Sequence, residues 1–237
     1  MDLVAQGIAH ALALIVSLDR EVLRVTLLTL EVSATATLVA VVLGIAAGAA
    51  LALGRFAGRG ILVALVNTSM GLPPVVVGLF VALMLWRSGP LGALRIIYTP
   101  AAMIVAQAIL AFPIVAGITL AAIQQLPPGL RPQVLALGAT PLQSVWVLVK
   151  EARLPLLAAV MAGFGGAVSE VGASLMVGGN IKGHTRVLTT AIVMETGRGN
   201  YDVAIALGIV LFVLAFSITL ILTHVQQRGG GPGIYGQ

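Results

Sequence analysis

The sequence has no cysteine, only three histidines and very little charge, and each shortage removes a class of chemistry. Without cysteine there is no disulfide framework, no thiolate metal ligand and no thiol nucleophile. His10, His184 and His224 lie near the start, in a mid-chain loop and near the end, too scattered for a metal centre or a nucleophile–base pair. Charged residues make up 9% of the 237 positions, where a soluble domain carries about 25%. The phosphate-binding loop Gly-x-x-x-x-Gly-Lys-Ser/Thr, the His-Glu-x-x-His zinc motif and the Gly-x-Ser-x-Gly elbow are all missing, so neither ATP hydrolysis nor other enzymatic catalysis is expected of this chain.

What is present in excess is apolar surface: 59% of residues are hydrophobic and the mean hydropathy is +1.09. Lipid is the expected solvent. The net charge of +5 is dispersed between apolar runs rather than gathered in a basic cluster, which suits membrane loops and argues against nucleic-acid binding.

A spanning helix needs about 20 mostly apolar residues. Four windows meet this plainly, Val25 to Leu53, Ile61 to Trp86, Ala101 to Ile123 and Val203 to Leu222, and Leu154 to Gly178 is a fifth despite its glycines. The predicted fold is therefore an all-α polytopic membrane bundle of five spans, with residues 25–228 as the membrane domain. At 1.5 Å per residue the first window is roughly 43 Å long, so it must tilt or project into water. Trp86 and Tyr98 flank one connection as interfacial anchors. Residues 1–24 read as an interfacial segment, because Val4 to Leu18 is short for a span and follows Asp2 rather than a basic leader. The glycine-rich stretch 229–237 reads as a disordered tail.

Between the third and fourth spans, residues 124–153 change character. A Pro127-Pro128-Gly129 break precedes an amphipathic stretch with Leu135, Leu137, Leu142, Val145, Trp146 and Leu148, which reads as helix pieces outside the bilayer. The connection from Gly179 to Asp202 reads as long and polar. Loop charge does not orient the chain: Arg55, Arg59, Arg131, Lys150, Arg153 and Arg228 on one side balance Arg20, Arg24, Arg87, Arg95, Lys182, Arg186 and Arg198 on the other.

Three intramembrane features carry the candidate chemistry. Pro73 and Pro74 break the second span by removing two backbone donors, which lipid tolerates only where protein or a wet cavity re-satisfies the backbone. A pathway gate and a packing kink both fit. Glu170, with Ser169 beside it and Asn180 further on, stands in a glycine-rich fourth span. An intramembrane carboxylate faces a bundle interior or cavity, so a pathway residue and a structural cap both fit. Glu31 lies near the start of the first span, close enough to reach the interface, beside Thr29, Ser33, Thr35 and Thr37 as available hydrogen-bonding groups, so it reads as a structural rather than a pathway acid. Gly44 and Gly48 form a small-xxx-small pair.

The run Leu137-Gly138-Ala139-Thr140-Pro141-Leu142-Gln143 resembles the cytoplasmic coupling loop of permease subunits of binding-protein-dependent ABC importers. Pro132-Gln133-Val134 stands where that family has Glu-Ala-Ala, and Leu154-Pro155 arrives about one helical turn late. The docking role is therefore carried onto Gly138, Ala139, Thr140 and Leu142, with Glu151 and Arg153 as further contributors. Gly71 to Gly78 and Ser169 to Ile181 are similar to the molybdate and tungstate branch, with Glu151-Ala152-Arg153 and the Val-Gly-Gly-Asn-Ile run closest to tungstate permeases.

The resemblance implies a homodimer in the inner membrane of a prokaryote, two ATP-binding cassette subunits that hold ATP and magnesium, and an extracytoplasmic oxyanion-binding protein. No cofactor is expected in this chain, and lipid is its other partner. It also implies the N-terminus outside, the C-terminus in the cytoplasm, and Pro73, Pro74, Ser169, Glu170 and Asn180 along the pathway or its gate. The competing reading is a proton-coupled secondary transporter using Glu31 and Glu170 as a relay, although such carriers show paired broken helices in two related halves and no repeat is visible here.

Overall fold

The computed structural model describes residues 20–229, together with Ala5, Ile8 and Ala9. Most of the expected interfacial segment and the tail beyond Gly229 lie outside the described residues. The described part of the first helix, α1 (Arg20–Leu53), starts five residues before the apolar window, so Arg20 to Arg24 belong to it. At 34 residues it is about 51 Å long.

Along α1 the buried positions Val25, Thr29, Val32, Ala36, Ala40, Gly44 and Gly48 recur every three or four residues and so share one face. That face lies against α4 (Pro100–Gln124), the central helix. A Cβ on Gly48 would stand 2.5 Å from the carbonyl oxygen of Ala116, and one on Gly44 would stand 2.8 Å from Cβ of Val115. Only glycine permits this approach, and in lipid close backbone packing is what holds helices together. The hydroxyls of Thr29 and Thr37 donate to the carbonyls of Val25 and Ser33 one turn back, which satisfies them within the helix.

Two of the five expected spans are broken. The helices α2 (Arg59–Ser69) and α3 (Pro74–Leu85) meet at 107°, and α7 (Arg153–Val168) and α8 (Gly172–Gly178) meet at 57°. With α1, α4 and α10 (Tyr201–Gly229), each long and apolar enough to cross a membrane, these pairs complete five candidate spans among the described residues. No strand occurs among the described residues.

The second arm of each broken pair packs on the other. A Cβ on Gly78 of α3 would come within 2.5 Å of the Ala173 backbone in α8. Val32, Val81, Met103 and Val177 close the core around this contact, drawing together α1, α3, α4 and α8. Trp86 and Tyr98, read as anchors, meet edge-on at 6.2 Å.

The connection over residues 124–153 folds as two short helices, α5 (Leu130–Ala136) and α6 (Pro141–Glu151). The later polar connection differs from its expectation, because it contains α9 (Leu188–Gly197). Leu188 and Ala191 are buried there against Val25, Leu207 and Val210, so tertiary packing makes a helix of a run too short to register as a span.

Candidate functional site

The first break is built by proline. Pro73 is extended, with φ −61° and ψ 123°, and caps α3, while Pro74 occupies the first helical position where its missing N–H costs nothing. The Pro73 carbonyl accepts from the amides of Val76 and Val77 at 3.0 and 3.3 Å, so α3 begins afresh at this point.

The second break is built by Glu170. Its side chain turns into the protein, with the residue 7% exposed, and caps α8. Oε1 accepts from the Ala173 amide, and Oε2 accepts from both the amide and the hydroxyl of Ser174, each at 2.8 Å. A carboxylate at a helix start satisfies orphan amides and opposes the positive end of the helix dipole. The network extends in two directions. Gln107 Nε2 of α4 donates to Ser174 Oγ at 3.1 Å, and Thr189 Oγ1 of α9 donates to the Glu170 carbonyl at 2.8 Å.

The structure brings the two breaks together. A Cβ on Gly172 would stand 2.5 Å from Val75 Cγ2, so the starts of α3 and α8 lie side by side. Pro73, Pro74 and Ser169 are exposed beside this contact, and the Ser169 hydroxyl folds back onto the Gly165 carbonyl at 2.7 Å. Asn180 lies elsewhere, just beyond the other end of α8. With φ 51°, it accepts from Thr190 Oγ1 at 3.0 Å and fastens the loop to α9.

Gln107, Thr189 and Thr190 were absent from the sequence reading. Gln107 left a signal as a lone amide within an apolar span; the two threonines left none, since their connection reads as a surface loop.

Glu31 stands apart from this network. The hydroxyls of Thr29 and Thr37 bond backbone carbonyls rather than Glu31. It is exposed in a cavity beside the described start of α1. No contact joins Glu31 to Glu170 among the described residues, so the two acids form no relay.

The coupling loop has a local logic of its own. After α5 the amide of Gly138 donates to Leu135 O and that of Ala139 to Val134 O, the paired closure of a helix that ends on a left-handed residue, here Gly138 at φ 89°. A capping box follows at once: the Thr140 hydroxyl accepts from the Gln143 amide, and Gln143 Oε1 accepts from the Thr140 amide. Leu137, Leu142 and Trp146 are left 88%, 79% and 69% exposed. An apolar patch on a polar hairpin marks an interaction surface. Glu151 ends α6 and Arg153 begins α7.

Residues 40–229 match the family described as the binding-protein-dependent transport system inner membrane component. The chain is 39% identical to the tungstate uptake system permease protein of Peptoclostridium acidaminophilum over 96% of its own length and all of that relative's. It is also 39% identical to a probable anion ABC transporter permease protein of Haloferax volcanii, across 87% of this chain and 91% of the relative. Among solved structures, an inward-facing MetNI methionine ABC transporter superposes with a TM-score of 0.72 at 22% identity, covering 90% of this chain and 97% of that one.

The chain therefore belongs to the binding-protein-dependent transport system inner membrane components. It is an integral membrane permease subunit of an ABC importer, and the secondary-transporter alternative is set aside.

Proposed function

We propose that this permease carries a tetrahedral oxyanion, tungstate foremost and molybdate as its near analogue, across the inner membrane of a prokaryote. The observation that carries the mechanism is the α5–α6 hairpin, whose doubly capped turn presents Leu137, Leu142 and Trp146 to a partner. The substrate rests on the names of the tungstate and anion permeases to which the chain is 39% identical.

In this reading two copies pair, two ATP-binding subunits with ATP and magnesium dock on the hairpins through Gly138, Ala139, Thr140 and Leu142, and an external binding protein delivers the anion. Glu151 and Arg153 join the hairpin to α7. The N-terminus faces outward and the C-terminus faces the cytoplasm. Pro73, Pro74 and Ser169 line the constriction between copies, while Glu170 and Asn180 hold its shape from behind. Closure of the ATPase pair displaces the hairpins and shifts the packed α3–α8 unit between two arrangements, a two-state packing change.

The test is uptake of tungstate and molybdate at nanomolar anion, in cells with and without this chain alongside its ATPase and binding protein. Loss of tungstate uptake on deletion supports the reading. Unchanged uptake of both anions removes the oxyanion assignment.

A further inference from the structure

A cavity of about 750 Å³ opens beside the described start of α1 and is walled on its other side by residues 182–186. Among the described residues its charged lining is Arg20, Arg24, Lys182 and Arg186 against Glu21 and Glu31: four cations less two anions leaves +2, with His184 also on the wall. The two walls converge. Lys182 Nζ lies 2.6 Å from one Glu21 oxygen and Arg186 Nη1 lies 3.6 Å from the other, so Glu21 holds both cations in place. The Arg24 guanidinium reaches across to Gly183, with Nη1 3.4 Å from where a Cβ would stand.

The cations are not used up by the protein. Arg20 and Arg24 have no hydrogen-bond or ion-pair partner among the described residues. Arg186 is 13% exposed in its side chain, its Nε is buried without a partner, and its contact to Glu21 is longer than the 2.7–2.9 Å of a charge-assisted hydrogen bond.

We propose that this cavity is a vestibule that takes up the divalent oxyanion as it leaves the binding protein, between Arg24 and Arg186. This rests on the importer reading, which places the start of α1 and the 182–186 loop outside. Guanidinium groups suit a tetrahedral oxyanion because their forked donors match its oxygens. The excess of cations among the described lining residues suits a dianion, and a basic cleft raises the local concentration of its ligand. Glu31 stands at the inner end, about 16 Å along α1 from Arg20, and limits how deeply the anion settles. That keeps occupancy weak enough for release, as conduction requires.

The loop also reports occupancy inward. The Leu188 amide, two residues past Arg186, donates to Thr29 Oγ1, and Thr189 holds the Glu170 carbonyl.

The test uses the complete complex of permease and ATPase in lipid nanodiscs, without binding protein. Tungstate bound at equilibrium is counted by mass spectrometry of tungsten, and import by the same complexes is measured in vesicles with binding protein added. Arg24→Gln and Arg186→Gln are expected to weaken tungstate binding at least tenfold, Arg24→Lys to keep most of it, and Glu31→Gln to tighten it. Binding that is absent in a wild-type complex that still imports, or unchanged in both glutamine variants, overturns the vestibule and leaves the importer reading intact. Variants that bind tungstate normally but lose affinity for the binding protein also overturn it, in favour of a protein-docking face. Absence of import by the wild type overturns the importer reading itself.

Discussion

At the scale of single residues, Glu170 shows how a carboxylate is tolerated in a span: two amides and a hydroxyl face it before any ligand does. Glu170→Ala would leave all three donors unmet in an apolar interior, and each buried unsatisfied group costs about 1–3 kcal/mol. The expected result is a loss of about 2 kcal/mol or more, seen as a lower thermal midpoint of the purified complex, with Glu170→Gln falling less because one acceptor oxygen remains. A midpoint unmoved by the alanine variant would mean that the carboxylate does not cap α8. The sequence singled out this residue by its charge alone. Charge in a span says that a partner exists, and it is silent on whether that partner is a neighbouring amide or a passing ion. Only the sharp turn at Ser169–Val171, which aims the side chain at the start of α8, separates the two.

At the scale of elements, hydropathy located the long helices because each is far more apolar than its flanks, and Pro127-Pro128-Gly129 located the hairpin because the helix must stop there. The bend angles of 107° and 57° were not legible. Proline and glycine say that a helix can break, while the direction of the second arm depends on what it packs against, here Gly78 on Ala173 from across the chain. The hairpin offers a sharper test. Gly138 has φ 89° and open space where a Cβ would stand, so a substitution there meets backbone strain without a clash. Gly138→Ala should cost about 1–2 kcal/mol and loosen the turn. Leu142→Asp changes no buried contact, since that side chain is 79% exposed. It is expected to leave the permease folded while reducing ATPase co-purification and tungstate-stimulated ATP turnover at least tenfold. Full retention of both would move the docking surface elsewhere.

At the scale of the whole molecule, the absence of cysteine makes the topology directly testable. Ser88→Cys and Gln133→Cys both alter exposed positions on opposite connections. In intact cells a membrane-impermeant thiol reagent is expected to label the first and to reach the second only after the membrane is opened; the reverse pattern would invert the orientation. The basic cavity was hidden from the sequence for a related reason, since Arg24 and Arg186 line one cavity only after the intervening spans have folded back. The far end of α1 is clasped as firmly as its near end is charged: Arg59 Nε donates to the Leu51 carbonyl at 2.6 Å and Arg131, from α5, to the Leu53 carbonyl at 3.2 Å. An unbroken rod of 34 residues thus joins the base of the hairpin to the arginine-lined cavity. Swung about one end by 5°, a boom about 51 Å long carries its other tip about 4 Å, more than the width of a water molecule, so a modest tug at the hairpin reaches the opposite end of the helix enlarged rather than damped.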